Sequence, residues 1–226
     1  MSEIPTLTKR RLQAEVIGPA GSGKSALLAD CLLQAPPQCR VCWLPLSGVA
    51  MSVEEFRQRL AESLGMASSE EATMLRALAR LQAPTWLFLD DYCRVPNPEL
   101  DLLLDRMLAV SSPMLTWWLG TRRRPQCNWP RLLLNDELFE CESSTLAFNQ
   151  AEIASLLHHL TPADANTAAS KIIQRSGGWC AGVRVALLQK CDWSRNDSLH
   201  SRADTLLDYL EHELFTSLTP ELTEAW

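Results

Sequence analysis

Residues 18–25 read GPAGSGKS, after a short apolar run at 14–17 and at the start of a helical pattern. Three of these eight residues are glycine, whose backbone can bend so that successive N–H groups point at a bound anion. The helix that begins near Lys24 adds the partial positive charge of its N-terminus. The spacing Gly-x4-Gly-Lys-Ser is typical of a P-loop, so this stretch predicts a phosphate-binding loop between a strand and a helix.

The loop predicts a nucleoside triphosphate as ligand, together with Mg²⁺. Lys24 would reach the terminal phosphates, and Ser25 would offer a hydroxyl to Mg²⁺, which prefers hard oxygen ligands. The alternative is a glycine turn that binds nothing. The predicted cofactor-binding residues of this stretch are Gly18, Gly21, Ser22, Gly23, Lys24, Ser25 and Ala26.

The composition limits the classes of function. With 226 residues, the chain is long enough for one α/β domain and a smaller second piece. Its net charge of −6 gives no positive surface for nucleic-acid phosphates, and the three arginines at 122–124 are too few to reverse that. No apolar run is long enough to cross a bilayer. We therefore expect a cytoplasmic protein with no membrane partner, no direct DNA binding by this stretch, and cysteines in the thiol form.

Strand and helix patterns alternate along the first 145 residues. Apolar runs at 41–46, 86–89 and 114–119 predict strands, and 138–141 is a candidate for a last strand. Residues 86–89 are apolar at every position, as in a parallel strand covered on both faces. Two capping-box signatures predict the starts of intervening helices, namely Ser52 with Glu55 and Ser68 with Glu71. The alternation predicts an α/β fold in which helices flank a parallel sheet.

Polar residues follow two of these strands, at the edge where ligands of parallel sheets bind. Asp90 and Asp91 follow the strand at 86–89, and Arg122 follows the strand at 114–119. We predict that Asp90 holds Mg²⁺ and that Asp91 orients or deprotonates the attacking water. Arg122 would contact the γ-phosphate. The alternatives are a strand-end cap for Asp90 and solvated loop charges for Asp91 and Arg122.

The pattern becomes wholly helical from Asn149 onward, which predicts a change of domain near residue 146. We expect a nucleotide-binding domain at 1–145, a small all-helical arm at 146–200, and the beginning of a further domain at 201–226. Thr219-Pro220 predicts a helix that has barely begun at Trp226, so we expect that last domain to be truncated.

Several motifs in this order make the chain resemble the signal-transduction ATPases called STAND, and within them the MalT-like large LuxR-type transcriptional regulators. The resemblance spans roughly residues 12 to 218. The motifs that carry it are the P-loop at 18–25, the acids in Leu87-Phe88-Leu89-Asp90-Asp91-Tyr92, Gly120-Thr121-Arg122, Leu146-Ala147-Phe148 with Glu152, and Gly178-Trp179.

The resemblance implies an ATP/ADP switch that is active with ATP, resting with ADP and reset by slow Mg²⁺-dependent hydrolysis. It implies that Gly178 and Trp179 in the helical arm approach the nucleotide, and that 201–226 begins a winged helix. It also implies downstream sensor and helix-turn-helix domains, and self-association of the ATP-bound full-length regulator.

Two other functions remain open. A degenerate module could bind nucleotide without turnover, and this alternative is favoured by the short segment 1–12 before the first strand and by Cys93, where the family often has histidine. A further departure from the family is Cys180, where it often has proline or a small residue. A small-molecule kinase would need an acceptor pocket and basic lid residues, which the sequence does not identify.

Overall fold

The structure, a computed structural model, describes residues 13–46, 50–92, 95–157 and 160–188. These residues form two compact units, one comprising 13–18 with 24–142 and the other comprising 19–23 with 143–188. The predicted winged-helix segment at 201–226 and Cys93 lie outside the described residues. The domain limits expected at 145 and 200 stay predictions.

The first unit is built on a five-stranded sheet with the order β2-β3-β4-β1-β5. Every pairing in it is parallel. This confirms the predicted α/β fold with a parallel sheet. The strands are β1 (Gln13–Ile17), β2 (Arg40–Pro45), β3 (Thr85–Tyr92), β4 (Leu115–Thr121) and β5 (Leu138–Glu142).

Helices connect these strands, and short polar side chains fix where most of them begin. The Ser52 hydroxyl accepts a hydrogen bond from Glu55 N at the start of α2, as the sequence predicts. The capping box predicted at Ser68 is wrong, because the Glu70 carboxylate accepts from Thr73 N and caps α3 instead. The helices of this unit are α1 (Lys24–Leu33), α2 (Val53–Ser63), α3 (Glu71–Ala79), α4 (Pro98–Val110) and α5 (Trp129–Leu134).

Residues 86–89 of β3 are buried on both faces of the sheet, which is why this stretch is apolar at every position. Leu87 and Leu89 belong to the main core, which packs β3 and β4 against side chains of α2, α3 and α4. Phe88, on the opposite face, stacks between Trp43 of β2 and Trp118 of β4, with ring centroids 5.5 and 5.4 Å apart. The central strands are thus held from both sides, and their carboxyl ends are fixed in position.

The regular secondary structure in the described part of the second unit is entirely helical. Asn149 and Glu152 form a reciprocal capping box at the start of α7, and Gly177 ends α8 in the left-handed conformation, with φ of 59°. Its core is a small apolar cluster that includes Ile153, Ala169 and Ile172. The helices are α6 (Ser143–Leu146), α7 (Gln150–Leu156), α8 (Pro162–Ser176) and α9 (Cys180–Leu188).

Among the described helices of both units, none combines the length and the apolar character that a membrane span requires.

Candidate functional site

The predicted phosphate loop leaves the sheet at the carboxyl end of β1, which lies between β4 and β5. Gly18 N donates a hydrogen bond to Thr121 O, 3.1 Å away at the end of β4. The helix α1 begins at Lys24, as the sequence predicts. The loop therefore starts at the sheet edge where parallel α/β folds bind their ligands.

Lys24 is buried, with only 7% of its surface exposed. Its ammonium Nζ donates to Gly18 O at 2.7 Å, so the side chain folds back on the residue that starts the loop. Lysine is rarely this buried without compensating contacts. The Lys24 ammonium group is therefore held at the loop and does not extend into solvent.

Ser25 and Asp90 lie together, as the predicted magnesium site requires. The Ser25 hydroxyl in the first turn of α1 donates to Asp90 Oδ1 at the end of β3, at 2.8 Å. Both groups offer hard oxygens, which suit Mg²⁺. Among the described residues, no group of three or more His, Cys, Asp or Glu side chains is placed to hold a metal. A divalent ion between Ser25 and Asp90 would therefore need further oxygens from phosphate or water.

Asp91 and Arg122 are also brought together, at the ends of the adjacent strands β3 and β4. Arg122 Nε lies 3.3 Å from Asp91 Oδ1, and the two side chains are only 14% and 19% exposed. The register of β3 on β4 shifts between Leu89 and Tyr92, and Asp91 within this bulge has a φ of +58°. Non-glycine residues rarely adopt such a φ, although aspartate and asparagine tolerate it better than most.

Gly120 of β4 lies close to Asp90 and to α1, where a larger side chain would not fit. A Cβ at this position would lie 2.8 Å from Leu28 Cδ1 and 3.3 Å from Asp90 Oδ1. The sequence motif Gly120-Thr121-Arg122 included this glycine but assigned it no role. In the structure it lets β4 pass close to α1 and to Asp90.

Residues 19–23 of the loop belong to the second unit, where they contact the start of α9. Three successive loop carbonyls each accept a hydrogen bond: Ala20 O from Trp179 Nε1 at 3.0 Å, Gly21 O from Ala181 N at 2.9 Å, and Ser22 O from Cys180 Sγ at 3.0 Å. The sequence signal at Gly178-Trp179 pointed to this segment. Ala20, Cys180 and Ala181 were not predicted as site residues.

Gly178 is buried in the same unit, where its backbone contacts the segment that follows α6. Phe148 N donates to Gly178 O at 2.8 Å, and a Cβ on Gly178 would lie 2.3 Å from Phe148 O. With a φ of +82°, this position requires glycine for both its conformation and its packing. Gly178 thus fixes how the chain enters α9.

A cavity of about 480 Å³ opens beside the loop within the second unit. Its size is that of a small-molecule site. Ser22 lies in its wall with 4% exposure, and its hydroxyl has no hydrogen-bond partner among the described residues. A buried polar group of this kind calls for an explanation, and a bound ligand is one. The lining residues are Pro19, Ser22, Ser143, Ser144, Ala147, Gly177, Trp179 and Cys180.

One buried acid was not anticipated from the sequence. Glu15, in the run that predicts β1, has no exposed surface, and burial raises its pKa to about 7, although Arg124 acts in the opposite direction. Arg124 Nε lies 3.2 Å from Glu15 Oε2 and also pairs with Glu140 on β5. The sequence signal for this buried acid was a glutamate within the run 14–17, which predicts a buried strand.

No protein-family model matches the chain. The chain is 26% identical over 258 aligned residues to the serine/threonine-protein kinase PknK of Mycobacterium tuberculosis and to that of Mycobacterium bovis. This similarity covers 99% of the present chain and 22% of each relative, so the chain spans about a fifth of the length of the curated relatives that it matches.

Among solved structures, the chain is similar to chains of Drosophila ORC bound to DNA, with a TM-score of 0.41, 11% identity, and coverage of 58% of this chain and 81% of the other. It is also similar to Drosophila ORC bound to GC-rich DNA and Cdc6, with a TM-score of 0.43, 11% identity, and coverage of 89% and 77%. These values mark a distant likeness.

Proposed function

We propose that this chain is a nucleotide-binding module that takes ATP or ADP, with Mg²⁺, at the loop 18–25. The observation that carries the proposal is the position of that loop. It leaves the carboxyl end of a central parallel strand, keeps a buried Lys24 ammonium against Gly18 O at 2.7 Å, and leads into the helix whose Ser25 hydroxyl contacts Asp90. A cation, a helix N-terminus and a magnesium-type oxygen pair at one loop fit a polyphosphate and no other common ligand as well.

The base and ribose would occupy the cavity of about 480 Å³ in the second unit. Pro19 and Ser22 both line that cavity and are also residues of the phosphate loop. The Trp179 side chain and Ala147 give the wall the apolar character that suits a purine ring. The buried Ser22 hydroxyl would find its partner on the ligand.

The residues near Ser25 fit Mg²⁺, since they offer hard oxygens at hydrogen-bond distance from each other. When bound, Mg²⁺ would neutralise negative charge on the β- and γ-phosphates. Asp90 would hold it together with Ser25. Asp91 would position the attacking water, and Arg122 would contact the γ-phosphate.

Because Arg122 is bound to Asp91, the γ-phosphate would compete with the Asp91 carboxylate for the same guanidinium. Such an exchange would report the presence of the γ-phosphate and would free Asp91 for the attacking water, so hydrolysis would have to wait for the ion pair to open. The same ion pair favours the second candidate, a module that binds nucleotide without turnover, since it occupies the group proposed to act on water.

At the finer level, we propose an ATP/ADP switch in a signal-responsive transcriptional regulator of the MalT-like, large LuxR type, in the cytoplasm. The support is the ordered set of motifs from the P-loop to Gly178-Trp179. In this proposal 146–200 is the arm, 201–226 begins a winged helix, and sensor and helix-turn-helix domains follow. The ATP-bound full-length protein would self-associate.

Replacing Lys24 with alanine tests the proposal. We expect Lys24→Ala to weaken ATP and ADP binding roughly ten- to hundredfold, since a charge-assisted contact to phosphate contributes about 1.5 to 3 kcal/mol. Isothermal titration in Mg²⁺ measures this, with Lys171→Ala, an exposed lysine of α8, as the matched control. In the parent, ATP at about a hundred times Kd should stabilise the fold by roughly 2.7 kcal/mol and raise Tm by about 5 to 10 °C. A parent melting curve unchanged by millimolar ATP, ADP and GTP would contradict the proposal.

Single-turnover hydrolysis separates the two candidates. Phosphate release without an acceptor supports the slow ATPase and argues against a small-molecule kinase. Tight binding with no phosphate release excludes the slow ATPase and favours the module without turnover.

A further inference from the structure

We propose that the segment Trp179–Ala181 is a positioning element that holds the phosphate loop from behind, in the conformation that binds phosphate. The inference rests on the proposed nucleotide function and adds a role for residues that need not touch the nucleotide's phosphates themselves. It concerns only residues 19–23 and the helical residues of the same unit.

The hydrogen bonds are the first line of support. Ala20, Gly21 and Ser22 are consecutive, and each of their carbonyls accepts from a different residue of the segment, over 2.9 to 3.0 Å. The donors are of three kinds, an indole N–H, a backbone N–H and a thiol. Satisfying three adjacent carbonyls in this way fixes three adjacent peptide planes.

The orientation of those planes links the contacts to phosphate binding. In a planar trans peptide, the carbonyl and the following N–H point in opposite directions. The carbonyls of Ala20, Gly21 and Ser22 face the start of α9. The N–H groups in the same three peptide planes, which belong to Gly21, Ser22 and Gly23, therefore face away from it. Ser22 N turns back to Pro19 O at 3.3 Å, which tightens the loop further. The segment therefore directs loop N–H groups to the side opposite α9.

The loop glycines pack closely against the segment Trp179–Ala181, and a side chain on either Gly21 or Gly23 would crowd it. A Cβ on Gly21 would lie 2.6 Å from Ala181 Cβ and 3.0 Å from the Trp179 ring, and one on Gly23 would lie 3.1 Å from Cys180 Sγ. Both glycines also have positive φ, of 68° and 93°. The loop glycines thus serve the contact with α9 as well as the bend around phosphate.

The segment is itself held in place. Cys180 Sγ lies 3.3 Å from Leu146 O as well as 3.0 Å from Ser22 O. Burial raises the pKa of the Cys180 thiol, so the thiol keeps its proton and stays a donor at neutral pH. Together with the backbone bond from Phe148 N to Gly178 O, these contacts tie the start of α9 to residues 146–148.

The consequence for binding is preorganisation. A loop already held in its binding conformation loses little freedom when the phosphates arrive, whereas a released loop must be ordered at the expense of affinity. Since the segment acts through the loop, its loss should weaken ATP and ADP by the same factor. Loss of a γ-phosphate contact would instead weaken ATP alone.

Trp179→Phe is the decisive variant, because it keeps an aromatic ring against Gly21 and removes the Nε1 donor. We expect Kd for Mg-ATP, for ADP and for inorganic triphosphate, which has no base to meet the Trp179 ring, to rise by the same factor, about two- to tenfold, the range for one neutral hydrogen bond. The matched control is Trp129→Phe, which removes an indole donor from Pro125 O, 2.7 Å away in the first unit. This control should bind both nucleotides within about twofold of the parent, which does not exceed the smallest loss of affinity expected for one hydrogen bond.

A second pair of variants tests the thiol. Cys180→Ala should weaken both nucleotides, and Cys180→Ser, whose hydroxyl can donate, should restore most of the affinity. This pair also decides the matter if Trp179→Phe fails to fold.

The outcomes are distinguishable from failure of the proposed function. If the parent binds neither ATP nor ADP, the proposed function fails and the inference falls with it. If the parent binds and is sensitive to Lys24→Ala, while Trp179→Phe and Cys180→Ala bind as tightly as the parent, only the inference is wrong. Equal losses in Trp179→Phe and Trp129→Phe would likewise overturn it, since the effect would then be general destabilisation.

Discussion

Glu15 lies in the middle of β1 with no exposed surface, and burial raises its pKa from 4.5 to about 7. The unfolded chain, with an ordinary pKa, gives up this proton at lower pH than the folded protein does. Between about pH 5 and 7 the folded state therefore binds more protons, and the free energy of unfolding falls as the pH rises through that window. Arg124 and Glu140 are the charged groups that face this carboxyl.

Glu15→Gln should remove this dependence, because the amide keeps the shape and carries no charge. We expect the variant to be more stable than the parent at pH 8 and to lose that advantage toward pH 5. Tm measured across this range checks it, with Glu62→Gln, an exposed acid of α2, as control. Parallel profiles for Glu15→Gln and the parent would show that Glu15 is ionised at all these pH values.

At the scale of elements, the bulge at the end of β3 separates two adjacent acids. Asp90 contacts Ser25, and Asp91 turns to Arg122 with a φ of +58°. We expect Asp91→Asn to bind ATP within a few-fold of the parent while hydrolysis falls about 100-fold, because it removes a basic oxygen needed only in the transition state. Asparagine tolerates the positive φ, so the bulge should survive.

Asp90→Asn should instead lose Mg²⁺-dependent binding and hydrolysis together, since a metal ligand acts before the chemical step. Equilibrium binding and single-turnover hydrolysis on both variants measure the separation. Asp30→Asn, an exposed acid on α1, is the control. Indistinguishable profiles for the Asp90 and Asp91 variants would show that the two roles are assigned wrongly.

The parts of the fold that depend on local chemistry could be predicted from the sequence. The apolar runs gave the strands, and the strand ends gave Asp90, Asp91 and Arg122, whose meeting needed only the rule that parallel strands end at one edge. The bulge at Asp91 could not be predicted, because it depends on how β3 and β4 pack. The cap of α3 was placed wrongly because Glu70 outcompetes Ser68, and both are plausible capping groups.

Contacts between distant parts of the sequence were also beyond prediction. Trp179 is 159 positions from the Ala20 carbonyl to which it donates. The motif Gly178-Trp179 gave the correct segment, but no local pattern states which groups of the loop it would meet. For the same reason the sequence did not show that residues 19–23 would group with the helical unit.

At the scale of the whole molecule, charge sets the expectation for nucleic acids. The chain carries 27 acidic and 21 basic residues, for a net charge of −6, and Arg122 and Arg124 of the arginine cluster at 122–124 are engaged with acids. Binding to DNA gains much of its free energy from cations that replace condensed counterions, and a net negative chain has no excess of them. We therefore expect the chain alone to show no sequence-selective DNA binding at roughly 0.2 M salt, with ATP or with ADP.

A gel shift against a pool of random duplexes, repeated across salt concentrations, measures this. Any weak retention at low salt should disappear as salt rises, at the same rate for every sequence, because only phosphate contacts would be involved. Arg123→Ala, which removes an exposed arginine of the cluster, should lower such retention for all duplexes alike. A duplex that stays bound at roughly 0.2 M salt, and that loses its advantage when its bases are shuffled, would show that this chain reads sequence itself. DNA recognition would then not depend on the helix-turn-helix domain that we propose to follow.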